Sequence, residues 1–364
     1  MTVDAVQIVP TATPGDSTPV EEWWAATHSP SNLILRAEPS LWLEDIEALP
    51  ADVRAHLPTT GWAWAVYPWC STAVLVPDEQ TTYAVLTSRN YPIVTRSEQV
   101  LLRNTHVVLA GLSTGRAVAQ QLVRLGVGSL HLVDADHLAP SNTNRLVGTS
   151  LTSLGIPKTS STARELLEFN PYLSLSTATE FLEYESLARH LREHKTSAVV
   201  ETIDGLPAKI GIRRAARAVG VPVVMATDMD WEPMVDIDYP GAEMFGGRLT
   251  SEDLGVLQSE STSFADKTEV AMRVMGLERW APRSFLSGEL ARSGLVRFWS
   301  QTAPSAAVGG ALAARAVLDL VRGQHIPKSR ALLSLREAVG TEDPVDEHEP
   351  LYVELRAHQS ASSE

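Results

Sequence analysis

Polar side chains in the middle of the chain have the types and spacing that bind phosphates and a metal ion. Arg145 can form paired hydrogen bonds with phosphate oxygens, Lys158 brings a compact positive charge at a predicted helix start, and the amide of Asn142 can donate a directed hydrogen bond. Asp204 follows an apolar run, and a carboxylate that faces a triphosphate usually holds magnesium. Taken singly, Asn142, Arg145 and Lys158 are better explained as solvated surface residues, and Asp204 also suits a helix cap. The prediction of a triphosphate site therefore depends on their occurrence together.

A predicted strand, tight turn and helix precede this group, in the stretch "VVLAGLSTGRAVAQQL". A dinucleotide-binding turn has glycine at its first, third and sixth positions, where the backbone approaches the phosphates closely. Taken alone, the turn in this chain is typical of many strand-to-helix junctions in α/β proteins. Its six residues are Ala110, Gly111, Leu112, Ser113, Thr114 and Gly115, with glycine at only the last of those three positions.

Two aspartates follow the next predicted strand, in "SLHLVDAD". Asp134 stands where a carboxylate can accept hydrogen bonds from ribose hydroxyls, and Asp136 lies two residues further on. The alternative is that Asp134 only stabilises a turn. A hydride-transfer enzyme has no particular use for Arg145 and Lys158 so soon after this position, whereas a triphosphate site has.

Alternating strands and helices must position these residues. The short, β-branched apolar runs "HVVLA", "SLHLV", "SAVVETI" and "VPVVMAT" predict strands that are covered on both faces. Amphipathic helices lie between them, so the predicted fold class is α/β, with a doubly wound, mostly parallel Rossmann-like sheet. The run "PMVDIDYPG" alternates like a more exposed strand, and the helix near Ser305 to Val321 is expected to pack back on the sheet.

Composition divides the chain into four predicted segments. Six of the nine tryptophans lie between Trp23 and Trp69, which indicates a small α+β module with its own core or an aromatic platform for a substrate or partner. The last ~20 residues have the composition of a frayed end. The predicted segments are a flexible arm (1–20), the Trp-rich module (21–86), the main domain (87–330) and a partly disordered C-terminal extension (331–364).

The overall charge and the cysteine count exclude some partners and sites. The formal charge of -14 disfavours binding to nucleic acid and anionic membranes, and the apolar run from Ala306 is too short to span a bilayer. Cys70 is the one cysteine, which excludes an internal disulfide and a multi-cysteine zinc site, and we expect it to be a buried apolar filler. The N-terminal residues lack a signal-peptide pattern, so the predicted compartment is the cytoplasm.

An ordered set of motifs resembles the ThiF/MoeB/HesA family, the bacterial relatives of ubiquitin-activating enzymes. The resemblance covers roughly residues 87–325 and is carried by "GLSTGRAVAQQLVRLGVGSLHLVDADHLAPSNTNRL", "GIPK", "FNP" and "VVETIDGLPAK". The "GLSTG" turn and the Trp-rich leader are similar to an actinobacterial subgroup. The family's chemistry is adenylation, in which a carboxylate attacks the α-phosphate of Mg-ATP and pyrophosphate leaves. The resulting acyl-adenylate then meets a nucleophile.

The resemblance implies ATP and Mg²⁺ as cofactors and a role for each matching position. Asp134 would bind the ribose and Asp204 the metal. Arg89, in "TSRNYPIVTRSEQVLLRN", would be an arginine finger that many members receive from the other subunit, so a homodimer is expected. The implied catalytic residues are Arg89, Arg145, Lys158 and Asp204, and the implied cofactor-binding residues are Gly111, Ser113, Gly115, Asp134, Asp136, Asn142, Arg145 and Lys158.

Two departures from the family pattern change the expected chemistry. Ala110, Leu112 and Ser113 stand at glycine positions, so we expect side chains where the backbone otherwise leaves room for the nucleotide. The family's CxxC zinc motifs and its acceptor cysteine are missing from the sequence. No zinc is therefore expected, and the adenylate would pass directly to a nucleophile without a cysteine thioester.

Three functions stay open at this point. The first is adenylation of a carboxylate on a small acid, a peptide C-terminus or a carrier protein. The second is a catalytically inactive scaffold or partner subunit of the same fold, which the altered turn favours. The third is an NAD-dependent oxidoreductase, which the strand, turn, helix and aspartate favour. Position in the chain suggests that the acceptor pocket is shaped by Trp231, Met234, Phe245, Arg248 and Arg283.

Overall fold

In the part of the chain that the structure describes, the strands form two β-sheets, one of four strands and one of seven. The smaller sheet belongs to the N-terminal part of the chain and the larger one to the remainder. The mixed α/β class predicted from the sequence is confirmed. The computed structural model describes residues 5–28, 32–58, 61–180, 183–228, 230–259, 261–276, 282–342 and 344–361.

The four-stranded sheet builds the Trp-rich module. Its strands are β1 (Gln7–Thr11), β2 (Ile34–Arg36), β3 (Trp62–Tyr67) and β4 (Thr72–Pro77), and its helices are α1 (Thr18–Thr27), α2 (Pro39–Ala48), α3 (Ala51–Arg54) and α4 (Glu79–Leu86). The strand order is β1-β3-β4-β2. Trp24, Trp62 and Trp64 are buried in its core, so packing accounts for these three tryptophans.

The segment expected to be a flexible arm is largely ordered. All five residues of β1 pair antiparallel with β3, and α1 begins at Thr18. The indole nitrogen of buried Trp64 donates a hydrogen bond to the backbone oxygen of Asp16 at 2.9 Å. The expectation is therefore wrong for the residues from β1 onward, because the module's core holds this segment. Residues 1–4 lie outside the described part of the chain.

The seven-stranded sheet carries the predicted parallel strands. Its strands are β5 (His106–Ala110), β6 (Ser129–Val133), β7 (Ser174–Ala178), β8 (Ala198–Glu201), β9 (Val223–Thr227), β10 (Met234–Asp238) and β11 (Arg330–Leu332). The order is β11-β10-β9-β8-β5-β6-β7, in which β9 to β7 are parallel and β10 and β11 antiparallel. In the sheet, β6 lies on one side of β5 and β8 lies on the other, so the strand order reverses at β5. Ligands of such sheets bind at this reversal, beside the carboxyl ends of the strands.

Helices precede, connect and follow the strands of this sheet. They are α5 (Arg96–Arg103), α6 (Thr114–Leu125), α7 (Lys158–Phe169), α8 (Tyr184–Glu193), α9 (Leu206–Val219), α10 (Ser251–Gln258), α11 (Phe264–Met275), α12 (Pro282–Arg292), α13 (Ala303–Val321), α14 (Leu335–Ala338) and α15 (Pro350–Ala361). Val107 and Leu109 of β5 pack with α6, α7 and α13, whereas Val108 and Ala110 pack with α8 and α9. The alternation of a strand between two covered faces explains why β5 is apolar throughout.

Strand β10 is buried, although its sequence predicts a more exposed strand. Val235 and Ile237 join the main core on one face. On the other face Asp236 and Asp238 are buried too, because Arg330 pairs with the first and Arg213 with the second. Alternation of apolar and acidic residues therefore reflects buried ion pairs here, and not solvent on one face.

Helix α13 packs back on the sheet, as predicted. It contacts α6 and β9, and Gly310 allows the close approach, since an added Cβ would lie 2.8 Å from the Cβ of Ala117. Among the described helices, α13 is the one long and apolar enough to cross a membrane by length and composition. Helix α13 begins at Ala303 and has 19 residues, so it is longer than the apolar run from Ala306. The expectation that this segment is too short to span a bilayer is therefore wrong. Half of its apolar window is buried, and it packs against α6, β9 and β10.

The C-terminal extension contains ordered elements. Strand β11 extends the large sheet, and α15 contacts α12, with Leu355 only 1% exposed. Gln359 donates a hydrogen bond to Glu289 of α12 at 3.0 Å. The expectation of a frayed end is therefore wrong for α15. Residues 362–364 lie outside the described part of the chain.

Four histidines form a cluster between the sheet and α8. The rings of His106 on β5, His131 on β6, and His190 and His194 at the end of α8 lie close together, with 4.0 Å between the ring centroids of His131 and His190. Burial first, and then the neighbouring histidines, lower the pKa of His106 to about 4 and that of His131 to about 3. Both buried rings are therefore neutral at neutral pH.

Candidate active site

The turn after β5 passes close beneath the residue that follows β8. Gly111 has a φ of +90° and its N–H donates to the oxygen of Val133 at 2.9 Å. A Cβ added at Gly111 or at Gly115 would lie 2.8 Å from the hydroxyl of Thr202. Both glycines are therefore required by the close approach of Thr202, and Gly111 also by its backbone conformation.

The side chains at the altered positions of the turn do not crowd its outer side. Leu112 is fully buried in the main core, while its N–H donates to the Asp134 carboxylate at 2.7 Å. Ala110 packs into the core on the opposite face of the sheet. The hydroxyl of Ser113 accepts a hydrogen bond from Nε of Arg145 at 3.0 Å. The expectation that Leu112 occupies nucleotide space is wrong, because the turn directs this side chain inward.

Asp134 holds the turn from the end of β6. Its two carboxylate oxygens accept the N–H of Leu112 and that of Asp136, the latter at 2.8 Å. Burial raises the pKa of Asp134, and the nearby Lys158 opposes this rise. The structural role considered for this residue is thus observed. Each carboxylate oxygen has a second lone pair, so a ribose contact is compatible with it and stays a prediction.

Lys158 opens α7, as the sequence predicts, and lies at the same edge of the sheet. Its ammonium donates to the carboxylate of Asp136 at 2.7 Å, and its N–H donates to the backbone oxygen of Asp136 at 2.9 Å. The lysine side chain is buried, whereas that of Asp136 is 71% exposed. An ion pair with so exposed a partner is worth little, so the ammonium can exchange this carboxylate for a phosphate at small cost.

The loop between β6 and α7 brings Asn142 and Arg145 toward the turn. Buried Asn142 accepts the N–H of Ala139 through its side-chain oxygen at 3.0 Å. Arg145 is half-buried and, besides Ser113, donates to the backbone oxygen of Ser141 at 3.0 Å. The structure therefore brings Arg145 into direct contact with the turn residue that replaces glycine.

Arg116, which was not among the predicted site residues, supports this loop. It lies on the first turn of α6, is 2% exposed, and donates to the backbone oxygen of Val147 at 2.9 Å. It also donates to Ser161 at 3.0 Å and forms an ion pair with Glu165, both on α7. Burial lowers the pKa of Arg116, and Glu165 opposes this effect. A basic residue in an otherwise apolar helix start was the signal that could have identified it.

Two carboxylates lie beyond the ends of β8 and β9. Asp204 is exposed three residues after β8, whereas Asp228 directly follows β9 and is 2% exposed. Both line a small pocket of about 60 Å³ that Thr114, Trp299 and Gln301 also line. Burial raises the pKa of Asp228, while hydrogen bonds from Thr114 and Gln301 oppose the rise. Asp228 was not predicted as a site residue, although it directly follows its strand just as Asp134 does.

A buried ion network lies beneath this pocket. Glu201, the last residue of β8, is fully buried and accepts from Lys209 at 2.7 Å and from Arg213 at 2.9 Å, both on α9. Burial alone would raise the pKa of Glu201, but the two cations outweigh it and lower the pKa. Arg213 also pairs with Asp238 of β10. The network thus fixes α9 against β8 and β10.

Arg89 does not join the other predicted site residues within one chain. It is exposed in a short 3-10 helix, Ser88–Asn90, and the side chain of Asn90 donates to the backbone oxygen of Arg124 at the C-terminal end of α6. The turn lies at the other end of α6, roughly 16 Å away along the helix axis. Contact between Arg89 and the turn therefore needs a second subunit, and the finger role stays a prediction.

Most residues suggested for an acceptor pocket lie elsewhere. Met234 and Phe245 are fully buried in a core formed with α10 and α11, because these helices pack with residues of β9, β10 and α9. Arg248 faces Asp236, at 3.9 Å. Arg283 lines a separate cavity of about 410 Å³ beside α12. Trp231 is 37% exposed.

Cys70 is exposed, and not a buried filler as expected. Strand β3 ends at Tyr67, and Cys70 ends the following 3-10 helix, Pro68–Cys70, where its thiol donates to the backbone oxygen of Tyr67 at 3.6 Å. The module around Cys70 contacts the C-terminal end of α7 through a hydrogen bond from Trp69 to Glu168. Lys158 begins the same helix, so Cys70 and the candidate site lie at opposite ends of α7.

The donor atoms at the pocket suit a hard divalent cation. Asp204 and the buried Asp228 supply carboxylate oxygens, and one oxygen of Asp228 has no hydrogen-bond partner within the described chain. Among the residues described, no group of three or more His, Cys, Asp or Glu side chains is arranged to hold a metal ion. Two carboxylates with substrate phosphates suffice for Mg²⁺, so the residues fit this ion.

A family model described as "ThiF family" matches residues 87–346. Among curated proteins, an uncharacterised protein of Mycobacterium tuberculosis (strain CDC 1551 / Oshkosh) is 31% identical over 319 residues, which are 84% of this chain and 43% of that protein. Molybdopterin-synthase adenylyltransferase of Escherichia coli (strain K12) is 28% identical over 140 residues, 38% of this chain and 55% of the relative. The chain thus spans about half the length of these relatives.

Solved structures resemble the fold at lower identity. The E. coli tRNA N6-threonylcarbamoyladenosine dehydratase, TcdA, aligns with a TM-score of 0.47 and 16% identity, over 66% of this chain and 95% of that one. At this level the likeness concerns the fold alone.

Proposed function

Because the chain belongs to the ThiF family over residues 87–346, we propose that it is an ATP-dependent adenylyltransferase that activates a carboxylate. The observation that carries the proposal is the hydrogen bond between Arg145 and Ser113, which joins a cation to the turn at the start of α6. A helix N-terminus binds anions through its free N–H groups and its dipole. Arg145, Lys158 and this turn together form a site for a triphosphate.

The residues of the chain then have distinct tasks. Arg145 forms hydrogen bonds to phosphate oxygens, Lys158 exchanges Asp136 for a phosphate, and Arg116 keeps the connecting loop in place. Fixed cations stabilise the charge that develops on the phosphates without reorganisation. Asp204 holds Mg²⁺, which when bound neutralises phosphate charge. Asp134 keeps the turn closed and accepts a ribose hydroxyl.

The inward side chain of Leu112 removes the main argument for an inactive scaffold, since this argument depended on a blocked turn. Membership of the ThiF family favours adenylation over the NAD-dependent oxidoreductase. Arg145 and Lys158 also argue against an oxidoreductase, because hydride transfer has no particular use for them. The substrate we propose is a carboxylate of a small acid, a peptide C-terminus or a carrier protein. Cys70 lies at the far end of α7, so the activated carboxylate passes to its nucleophile without a thioester on this chain.

Exchange of pyrophosphate into ATP, measured across a panel of small acids and peptides, tests the proposal. Lys158→Ala and Asp204→Ala are expected to abolish substrate-dependent exchange, because each removes charge complementary to the bound Mg-ATP. Lys328→Ala and Asp45→Ala remove exposed charges elsewhere and serve as matched controls. Circular dichroism verifies folding. Full exchange in both site variants contradicts the assignment.

Mixing of two inactive variants tests the finger role of Arg89. In a homodimer with an exchanged finger, Arg89→Ala and Lys158→Ala subunits complement each other, because a mixed dimer has one site with both groups intact. Random mixing is expected to restore roughly a quarter of the sites. Absence of any recovery, with subunit exchange verified by native mass spectrometry, excludes a finger from the partner.

A further inference from the structure

Asp228 is a buried carboxylate, and one of its oxygens has no hydrogen-bond partner among the described residues. Gln301 donates to its Oδ1 at 2.9 Å, the side chain of Thr114 also forms a hydrogen bond with the carboxylate, and Asp228 is 2% exposed. Oδ2 is buried and has no hydrogen-bond partner in the part of the chain that the structure describes. A buried charged oxygen without a partner is costly, unless a ligand supplies the missing interaction.

The position of Asp228 is beside Asp204 and the turn. Strands β8 and β9 are parallel neighbours, so their carboxyl ends lie together, and both aspartates line the same pocket. Thr114, the first residue of α6, lines it as well. The pocket therefore opens where a triphosphate at the helix N-terminus would lie.

The cations near this pocket already have other partners. Arg145, whose charge opposes the rise in the pKa of Asp228, donates to Ser113 and to the backbone oxygen of Ser141. Lys209 lines the pocket, but its ammonium is 2.7 Å from the fully buried Glu201. Arg213, one turn further along α9, pairs with Glu201 and Asp238. Two carboxylates beside a triphosphate repel it, and a divalent cation between them converts this repulsion into attraction.

We propose that Asp228 is a second carboxylate ligand, together with Asp204, of the divalent cation that accompanies the nucleotide. The proposal rests on the adenylation function above. Mg²⁺ is commonly held by one or two carboxylates in addition to substrate phosphates, and the volume of about 60 Å³ accommodates an ion with few waters. Gln301 orients the carboxylate through Oδ1 and leaves Oδ2 for the metal.

Binding of Mn²⁺ in the presence of α,β-methylene-ATP, followed by electron paramagnetic resonance, tests this assignment without turnover. Asp228→Asn is isosteric and keeps an oxygen for Gln301, yet it is expected to weaken Mn²⁺ binding at least about tenfold, and the same loss is expected for Asp204→Asn. Asp45→Asn, in the N-terminal module, is the control and keeps wild-type affinity. If Asp228→Asn does not fold, Asp228→Ser is measured in its place, with the same expectation.

The outcomes separate the two proposals. Equal Mn²⁺ affinity in wild type and the folded Asp228 variant, with loss in Asp204→Asn, overturns the role of Asp228 and leaves the adenylation function intact. A wild-type protein that binds neither the nucleotide analogue nor Mn²⁺ overturns both. Loss of Mn²⁺ in the Asp228 variant, with nucleotide binding in the absence of metal unchanged, supports the second ligand.

Discussion

Acidification from pH 7 to pH 5 is expected to destabilise the protein through His106 and His131. The pKa of each lies far below the ordinary value of about 6.5, at about 4 and about 3, because burial and the neighbouring His190 and His194 disfavour the charged ring. Below pH 6.5 the unfolded chain binds protons at these positions and the folded chain does not. The free energy of unfolding therefore falls as the pH falls, until the folded pKa is reached.

The magnitude follows from the difference between the pH and the unfolded pKa. One pH unit corresponds to about 1.4 kcal/mol for each proton that only the unfolded state binds. At pH 5 the difference is about 1.5 units, which gives about 2 kcal/mol for each histidine and about 4 kcal/mol for both. The result does not depend on the exact folded pKa values, since both lie below pH 5.

Urea denaturation of wild type and of the double variant His106→Asn/His131→Asn at pH 7, 6 and 5 tests this prediction. Asparagine cannot titrate, and it retains a polar atom near the Nδ1 position that contacts Ser129 or Ser176. Wild type is expected to lose about 4 kcal/mol more than the double variant between pH 7 and pH 5. Exposed His348→Asn is the control. Equal losses in wild type and double variant refute the reasoning.

Three further predictions concern the buried ion network, the turn and the thiol. Glu201→Gln is expected to lower the free energy of unfolding by about 3–5 kcal/mol, because two buried cations lose their compensating charge; a loss below about 1 kcal/mol in urea contradicts this. Gly111→Ala is expected to cost more than Gly155→Ala by thermal denaturation, since both have positive φ but only the first meets Thr202; equal costs contradict the crowding argument. Cys70 is expected to react with a maleimide in the native protein about as fast as in urea, and strong native protection contradicts its exposure.

The sequence predicts the parallel strands and the start of α7 well, because short β-branched runs between amphipathic helices have few alternative folds. It fails where tertiary partners decide burial. The aspartates of β10 are typical of an exposed face until Arg213 and Arg330 are seen to cover them. Asp228 is absent from the predicted site residues because the pocket it lines is shared with the residues that follow β8, which are distant in the sequence.

The turn after β5 is a second place where the sequence alone does not predict side-chain positions. Three non-glycine positions predict crowding, but the direction of each side chain depends on how the turn leaves β5. Leu112 points into the core, and Ser113 meets a residue more than thirty positions away, Arg145. Residue propensities depend on the neighbouring residues in the sequence. The contact to Ser113, in contrast, comes from Arg145 in the loop between β6 and α7, which packs against the turn.

The hydroxyl of Thr202 lies under two glycines at once, which has a consequence for how this protein can evolve. Residues 111, 115 and 202 share one small volume, so none can be enlarged independently of the others. We expect correlated substitution among relatives: where position 115 gains a methyl group, position 202 is expected to lose its hydroxyl, and where position 202 becomes larger, both glycines are expected to persist. An alignment of homologues in which these positions vary independently would contradict this constraint.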